Sequence, residues 1–87
     1  MEEEKVIQIL FQAFKYYNRD TITLTELKNY LKTKKIDIDP DAMWDLAGRK
    51  GIIEAGAIKY IEKNKIKTDI YIELKKQYTK KILKNNK

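Results

Sequence analysis

The chain has no cysteine and no histidine among its 87 residues. Disulfides are therefore excluded, as are zinc sites of the Cys/His kind and catalysis that needs an imidazole base or a thiolate nucleophile. Proline occurs once and glycine three times, and each of these four positions punctuates the chain. No apolar run approaches the ~18–20 residues of a membrane span. The acidic opening MEEEKV is unlike a secretory signal peptide, so a cytoplasmic setting is expected. A nucleophile elbow and a phosphate-cradling glycine loop are missing too. Neither enzymatic activity, nor a cofactor, nor a small-molecule substrate is expected.

What is present is charge. Charged residues make up 37% of the chain and hydrophobic ones 43%. That balance suits one folded domain, which at this length buries roughly 60–65% of the surface of its unfolded chain. The net charge of +6 is unevenly placed: residues 1–62 sum to −1 and residues 63–87 to +7. A near-neutral body with a basic C-terminal quarter points to an anionic partner, most often nucleic acid. The plainer reading is a solvated, lysine-rich face.

Residues 2–17 read as a helix with acids at its start, where the helix dipole favours them. Val6, Ile7, Ile9, Leu10, Phe11, Ala13, Phe14, Tyr16 and Tyr17 cover roughly 220° of its circumference, well beyond the stripe of an ordinary surface helix. Packing on more than one side is expected, either centrally in the domain or in a dimer. Asn18-Arg19-Asp20 ends this helix, and Thr21-Ile22-Thr23 is short and β-branched, a strand pattern. Thr23-x-x-Glu26 is a capping box that starts a second helix near Leu24, with Leu24, Leu27, Tyr30 and Leu31 inward. Ile36 and Ile38 are expected to anchor the next turn. Asp39 suits an N-cap and Pro40 a first helical position for a third helix, for which Gly51 suits the C′ position; Gly48 within it costs about 1 kcal/mol relative to Ala, which leaves an earlier end at Ala47 as the alternative.

Beyond Gly51, two short strands about Ala55-Gly56 are expected, joined by a polar connector, Glu62–Lys67, to a last helix. Thr68 would cap that helix, which would run to about Leu83 with Tyr71, Leu74, Tyr78 and Ile82 on one face. Lys76, Lys80 and Lys84 would line its outer side. Ile72, Thr79 and Leu83 would form a second stripe, a candidate dimer seam.

The order helix, short strand, helix, turn, helix, hairpin over residues 4–61 resembles the winged helix-turn-helix superfamily; the residues that carry it are TLTEL at the second helix and KGII after the third. The resemblance implies a mainly α fold with a small β-hairpin, here with an additional C-terminal amphipathic helix. Residues 1–67 would form the winged domain, and residues 68–87 a basic helix packed on it. It also implies binding to double-stranded DNA, as a transcriptional regulator or a plasmid or phage accessory factor, with a homodimer as the expected state. A competing resemblance, carried by Phe11-x-x-Phe14, Ile22, Glu26-Leu27 and Leu31, is to an EF-hand. Its loop would run from Lys15 to Glu26, but Lys15, Tyr17 and Arg19 stand where calcium requires oxygen ligands. That resemblance implies a calcium-independent, calmodulin-like light chain that grips a basic amphipathic helix.

In a winged helix the third helix usually enters the major groove and the wing meets the backbone or minor groove. Here the third helix offers Asp41, Trp44, Asp45 and Arg49, and its two acids would be repelled by phosphate. The DNA contacts are therefore expected from Lys28, Lys32, Lys34 and Lys35 around the second helix, from Arg49 and Lys50, and from Lys59, Lys63 and Lys65 in and after the wing. These are phosphate binders, which supply affinity and salt dependence more than sequence choice. Trp44 and the six tyrosines read as core or interface aromatics. Asp37, Asp39 and Asp41 alternate in the manner of a divalent-metal site, but a cap and turn acids explain them, and no metal is expected.

Overall fold

A computed structural model describes residues 2–83. The elements follow as α1 (Glu3–Tyr17), β1 (Thr21–Thr23), α2 (Leu24–Thr33), α3 (Pro40–Arg49), β2 (Ile53–Glu62), β3 (Lys65–Leu74) and α4 (Lys76–Ile82). The fold is mixed α/β: four helices and one antiparallel three-stranded sheet of order β1-β3-β2. No helix among the described residues is long and apolar enough to cross a membrane.

Leu10, Ala13 and Phe14 of α1 are wholly buried, together with Leu27 of α2, Met43 and Ala47 of α3 and Ile72 of β3. This core sits between the three N-terminal helices and the root of the sheet. It uses most of the wide apolar arc of α1. Ile7, Leu10 and Phe14 point into the core, Val6, Ile9 and Tyr17 pack at its edge, and Phe11 meets Tyr78 of α4 with ring centroids 5.9 Å apart. Much of the arc is thus used within one chain, while Tyr16 stays 52% exposed. Ile36 and Ile38 pack against the core from the α2–α3 turn, as their spacing suggested.

Three helices end in the same way. Asn18, Lys35 and Gly51 each adopt a left-handed conformation, and the following N–H (Arg19, Ile36, Ile52) donates back to the carbonyl five residues earlier. This is the Schellman closure, in which otherwise orphaned helical carbonyls are satisfied.

The capping box at α2 is complete. Glu26 N–H donates to Thr23 Oγ1 at 3.1 Å, and Thr23 N–H donates to Glu26 Oε1 at 2.9 Å. Glu26 also takes an ion pair from Arg19, and its backbone carbonyl accepts from the Tyr17 hydroxyl. Partial burial pushes the Glu26 carboxyl up, but the hydrogen bonds from Arg19 and Thr23, with the Arg19 charge, outweigh it and hold the group below its ordinary value of 4.5. A carboxylate with a depressed folded pKa stabilises the fold above the unfolded value and loses that contribution as pH falls through the folded one. Arg19→Ala is therefore expected to shrink the fall in Tm between about pH 6 and about pH 3. Thermal unfolding of both proteins at the two pH values checks this, and an identical fall would show that the pair adds nothing.

The C-terminal third departs from the sequence expectation. The hairpin does not turn at Ala55-Gly56. β2 runs straight through them, and the turn is Lys63-Asn64, with φ of 54° and 64°. Two successive positive φ values make a two-residue type I′ turn, whose twist matches that of the strands it joins. The segment expected as the connector Glu62–Lys67 is therefore the end of β2, the turn and the start of β3. The helix expected from Thr68 is strand as far as Leu74, and α4 begins only at Lys76. Residues 68–74 thus belong to the sheet and not to a separate C-terminal helix. The second stripe does not exist as drawn either, because Ile72 is a fully buried strand residue. Lys84 lies outside the described residues.

Gly56 has another role. It pairs with Tyr71 across the hairpin, and a Cβ placed on it would lie 2.6 Å from that ring. The bare backbone lets the Tyr71 ring lie across the strand, the arrangement in which an aromatic shields a strand glycine. Gly56→Val is expected to lift the ring away and to cost up to about 1 kcal/mol, the worth of a cross-strand pair. The Tm and the Tyr71 ring-proton shifts report it, and unchanged ring shifts would contradict the packing described.

Candidate nucleic-acid interface

Only the root of the β2–β3 hairpin is covered. Ile53, Ile72 and Leu74 are buried, whereas every residue from Ala57 to Thr68 is exposed. From Ile58 onward five rungs project as a free two-stranded arm, roughly 15 Å long at ~3.3 Å per residue.

Register and strand alternation sort its side chains. Lys59 and Thr68 share one face with the pair Ile61–Ile66, and this face continues the core side of the sheet. Lys65 and Lys67 lie on the other face with Tyr60 and Glu62. Lys63 stands in the turn. The arm from Ile58 to Asp69 thus carries Lys59, Lys63, Lys65 and Lys67 against two acids, Glu62 near the tip and Asp69 at its base. None of these lysines makes an ion pair among the described residues.

The other expected contacts are differently placed. Arg49 Nε donates to Asp45 Oδ2 at 3.1 Å, one turn back on α3. Lys50 Nζ lies 2.9 Å from Glu3 of α1. Both cations spend charge within the molecule, and both pairs are exposed enough to exchange for phosphate at modest cost. Lys34 sits over the Tyr16 ring, 5.4 Å from its centroid, and Lys35 holds the left-handed position that closes α2. Lys28 and Lys32 flank a shallow groove floored by Leu31, Ile36, Ile38 and Pro40. The nine expected residues therefore fall into an α2 cluster, a neutralised pair at the end of α3, and a hairpin set without ion pairs among the described residues. Sequence reasoning missed Lys67, Tyr60, Ile61 and Ile66. The alternation Lys63-x-Lys65-x-Lys67 was the available signal, since it is a strand period with every second residue basic.

On α3, Asp39 caps the helix by accepting from Asp41 N–H at 3.1 Å, and Asp41 accepts from the Trp44 indole N–H at 3.3 Å. These acids are engaged in local structure. Among the described residues no group of three or more carboxylates or other ligands is placed to hold a metal. Trp44 packs partly against the core. The exposed side of α3 thus presents Asp41 and an Asp45–Arg49 pair, a surface with no net attraction for phosphate.

The chain matches no protein-family model, no curated protein and no solved structure.

Proposed function

We propose that this chain is a small, non-enzymatic winged helix-turn-helix protein that binds double-stranded DNA, with the β2–β3 hairpin as its wing and principal contact. Support comes from the order α1-β1-α2-α3-β2-β3, with β1 joined to the hairpin through β3. The observation that carries the reading is the projecting arm, on which four lysines without ion pairs among the described residues stand clear of the body, with Glu62 among them and Asp69 at the base. Lysines so placed neutralise phosphates and release counterions, which yields affinity with little sequence preference. The Lys28 and Lys32 cluster supplies a secondary contact, and α3 serves mainly as scaffold. A homodimer is part of the proposal, and Tyr16, 52% exposed, is the part of the α1 arc left for a second copy. A transcriptional regulator or a plasmid or phage accessory factor, acting in the cytoplasm, is the setting that fits.

The rival reading, an EF-hand-like light chain, fits less well on two counts. A paired EF-hand needs helix where β2 lies. The chain carries a net charge of +6, so a basic partner helix would be repelled. Anisotropy of a labelled mixed-sequence duplex, titrated from about 50 to about 200 mM salt, separates the two. The expected result is tight binding at low salt and a linear fall of log affinity with log salt. No binding at low salt, with capture of a basic amphipathic peptide instead, would reject the DNA reading.

A further inference from the structure

Ile61 and Ile66 face each other on the last rung but one before the turn, and they are 75% and 73% exposed. They are the most exposed large hydrophobics among the described residues, and neither packs against the core. Solubility alone would favour polar residues here, since the rung is in solvent on both faces of a two-stranded arm. Around the pair stand Lys59 on its own face, Lys63 in the turn, and Lys65 and Lys67 on the strand beside it. The partner that this tip suits is anionic at its surface and apolar just beneath.

Resting on the DNA-binding reading above, we propose that Ile61 and Ile66 form a wedge that enters the minor groove and partly unstacks one base step, bending the duplex away from the arm. Duplex DNA has the required layering, with phosphates at the groove rim and stacked bases behind them. Aliphatic side chains presented in the minor groove are a known way to open a base step, with basic residues holding the flanking backbone. The geometry is suited to it: two β-branched side chains, stiff at χ1, sit abreast on a two-stranded ribbon. Pyrimidine–purine steps, which unstack most easily, are the expected sites.

Other occupants are poorer fits. Two isoleucines carry less hydrocarbon than a single myristoyl chain, which alone binds membranes only marginally. The pair is also far smaller than the ~1,200–2,000 Å² that a stable protein interface buries.

The test uses the full chain and a duplex of about 25 base pairs with 2-aminopurine at a central TA step and a donor–acceptor dye pair at its ends, a length over which bending is resolvable. Wild-type protein is expected to raise 2-aminopurine emission and bring the ends together. The Ile61→Ala/Ile66→Ala double variant is expected to lose both signals and bind roughly tenfold more weakly, while keeping the wild-type salt slope. Circular dichroism verifies its fold, which solvent-exposed truncations leave intact. Wild-type binding without unstacking or bending, or a double variant that retains both signals, overturns the wedge and leaves DNA binding standing. Absence of wild-type binding overturns both. Wild-type partitioning onto phosphatidylserine vesicles with no effect on the 2-aminopurine duplex would overturn the wedge in favour of a lipid surface.

Discussion

Replacing Lys59, Lys63, Lys65 and Lys67 together by Gln is expected to flatten the salt dependence of DNA binding more than any other change of comparable size. Each phosphate neutralised contributes about 0.9 to the slope of log affinity against log salt. If each lysine holds one phosphate, the slope falls by about 3.6 and the affinity near 0.1 M salt by roughly a thousandfold. The arm justifies counting all four. They are exposed, they make no ion pair among the described residues, and they lie within five rungs of one ribbon. Arg49→Ala should do much less, because its guanidinium already pairs with Asp45, and removing it also releases a carboxylate on α3. Anisotropy titrations of wild type and the two variants across salt supply the comparison. Equal slopes for wild type and the four-lysine variant would remove the wing from the interface.

Phe14→Ala is expected to be the most destabilising single truncation. The ring is fully buried, and emptying such a site costs about 3–5 kcal/mol, because the walls relax only partly. A domain of this length has roughly 4–13 kcal/mol of stability in total. At about 4–8 °C per kcal/mol, the melting temperature should drop by at least about 12 °C. Phe11→Ala gives the contrast. That ring is partly exposed and packs on Tyr78, so its loss should loosen α4 while the core holds, with a fall in Tm of less than half as much. Thermal unfolding by circular dichroism decides. Similar losses for the two variants would mean that α4 is as integral to the fold as the central core.

The helical two-thirds of the molecule was legible because its boundaries are marked by side chains that act locally. Thr23 and Glu26 cap α2, Asp39 and Pro40 open α3, and Gly51 closes it, all through contacts within a few residues. The hairpin was not, because its turn is made by Lys63 and Asn64, neither of them glycine, while the glycine nearby serves the Tyr71 ring instead. The misplaced helix has a physical source as well. Tyr71, Leu74, Tyr78 and Ile82 fall at helical spacing, yet they straddle a strand and a helix that meet at Lys75; Leu74, Tyr78 and Ile82 pack toward the core, while Tyr71 lies on the other face of the sheet over Gly56. A short apolar run cannot by itself separate the two periods.

The candidate interface was half legible for the same reason. Lys59, Lys63 and Lys65 were picked out by charge, but their common arm became visible only with the register of β2 and β3. The Asp45–Arg49 pair could be anticipated from its i, i+4 spacing on one helix. The Lys50–Glu3 pair could not, since it joins residues that tertiary folding alone brings together.

The central proposal, that the wing and not α3 meets DNA, is tested most directly by ¹H–¹⁵N correlation spectra of the protein during titration with a duplex. The expected result is that the largest amide shifts and losses of intensity fall between Ile58 and Thr68, with smaller changes near Lys28 and Lys32 and little along Pro40–Arg49. Shifts concentrated on Pro40–Arg49 with a silent hairpin, or no shifts at low salt, would contradict it.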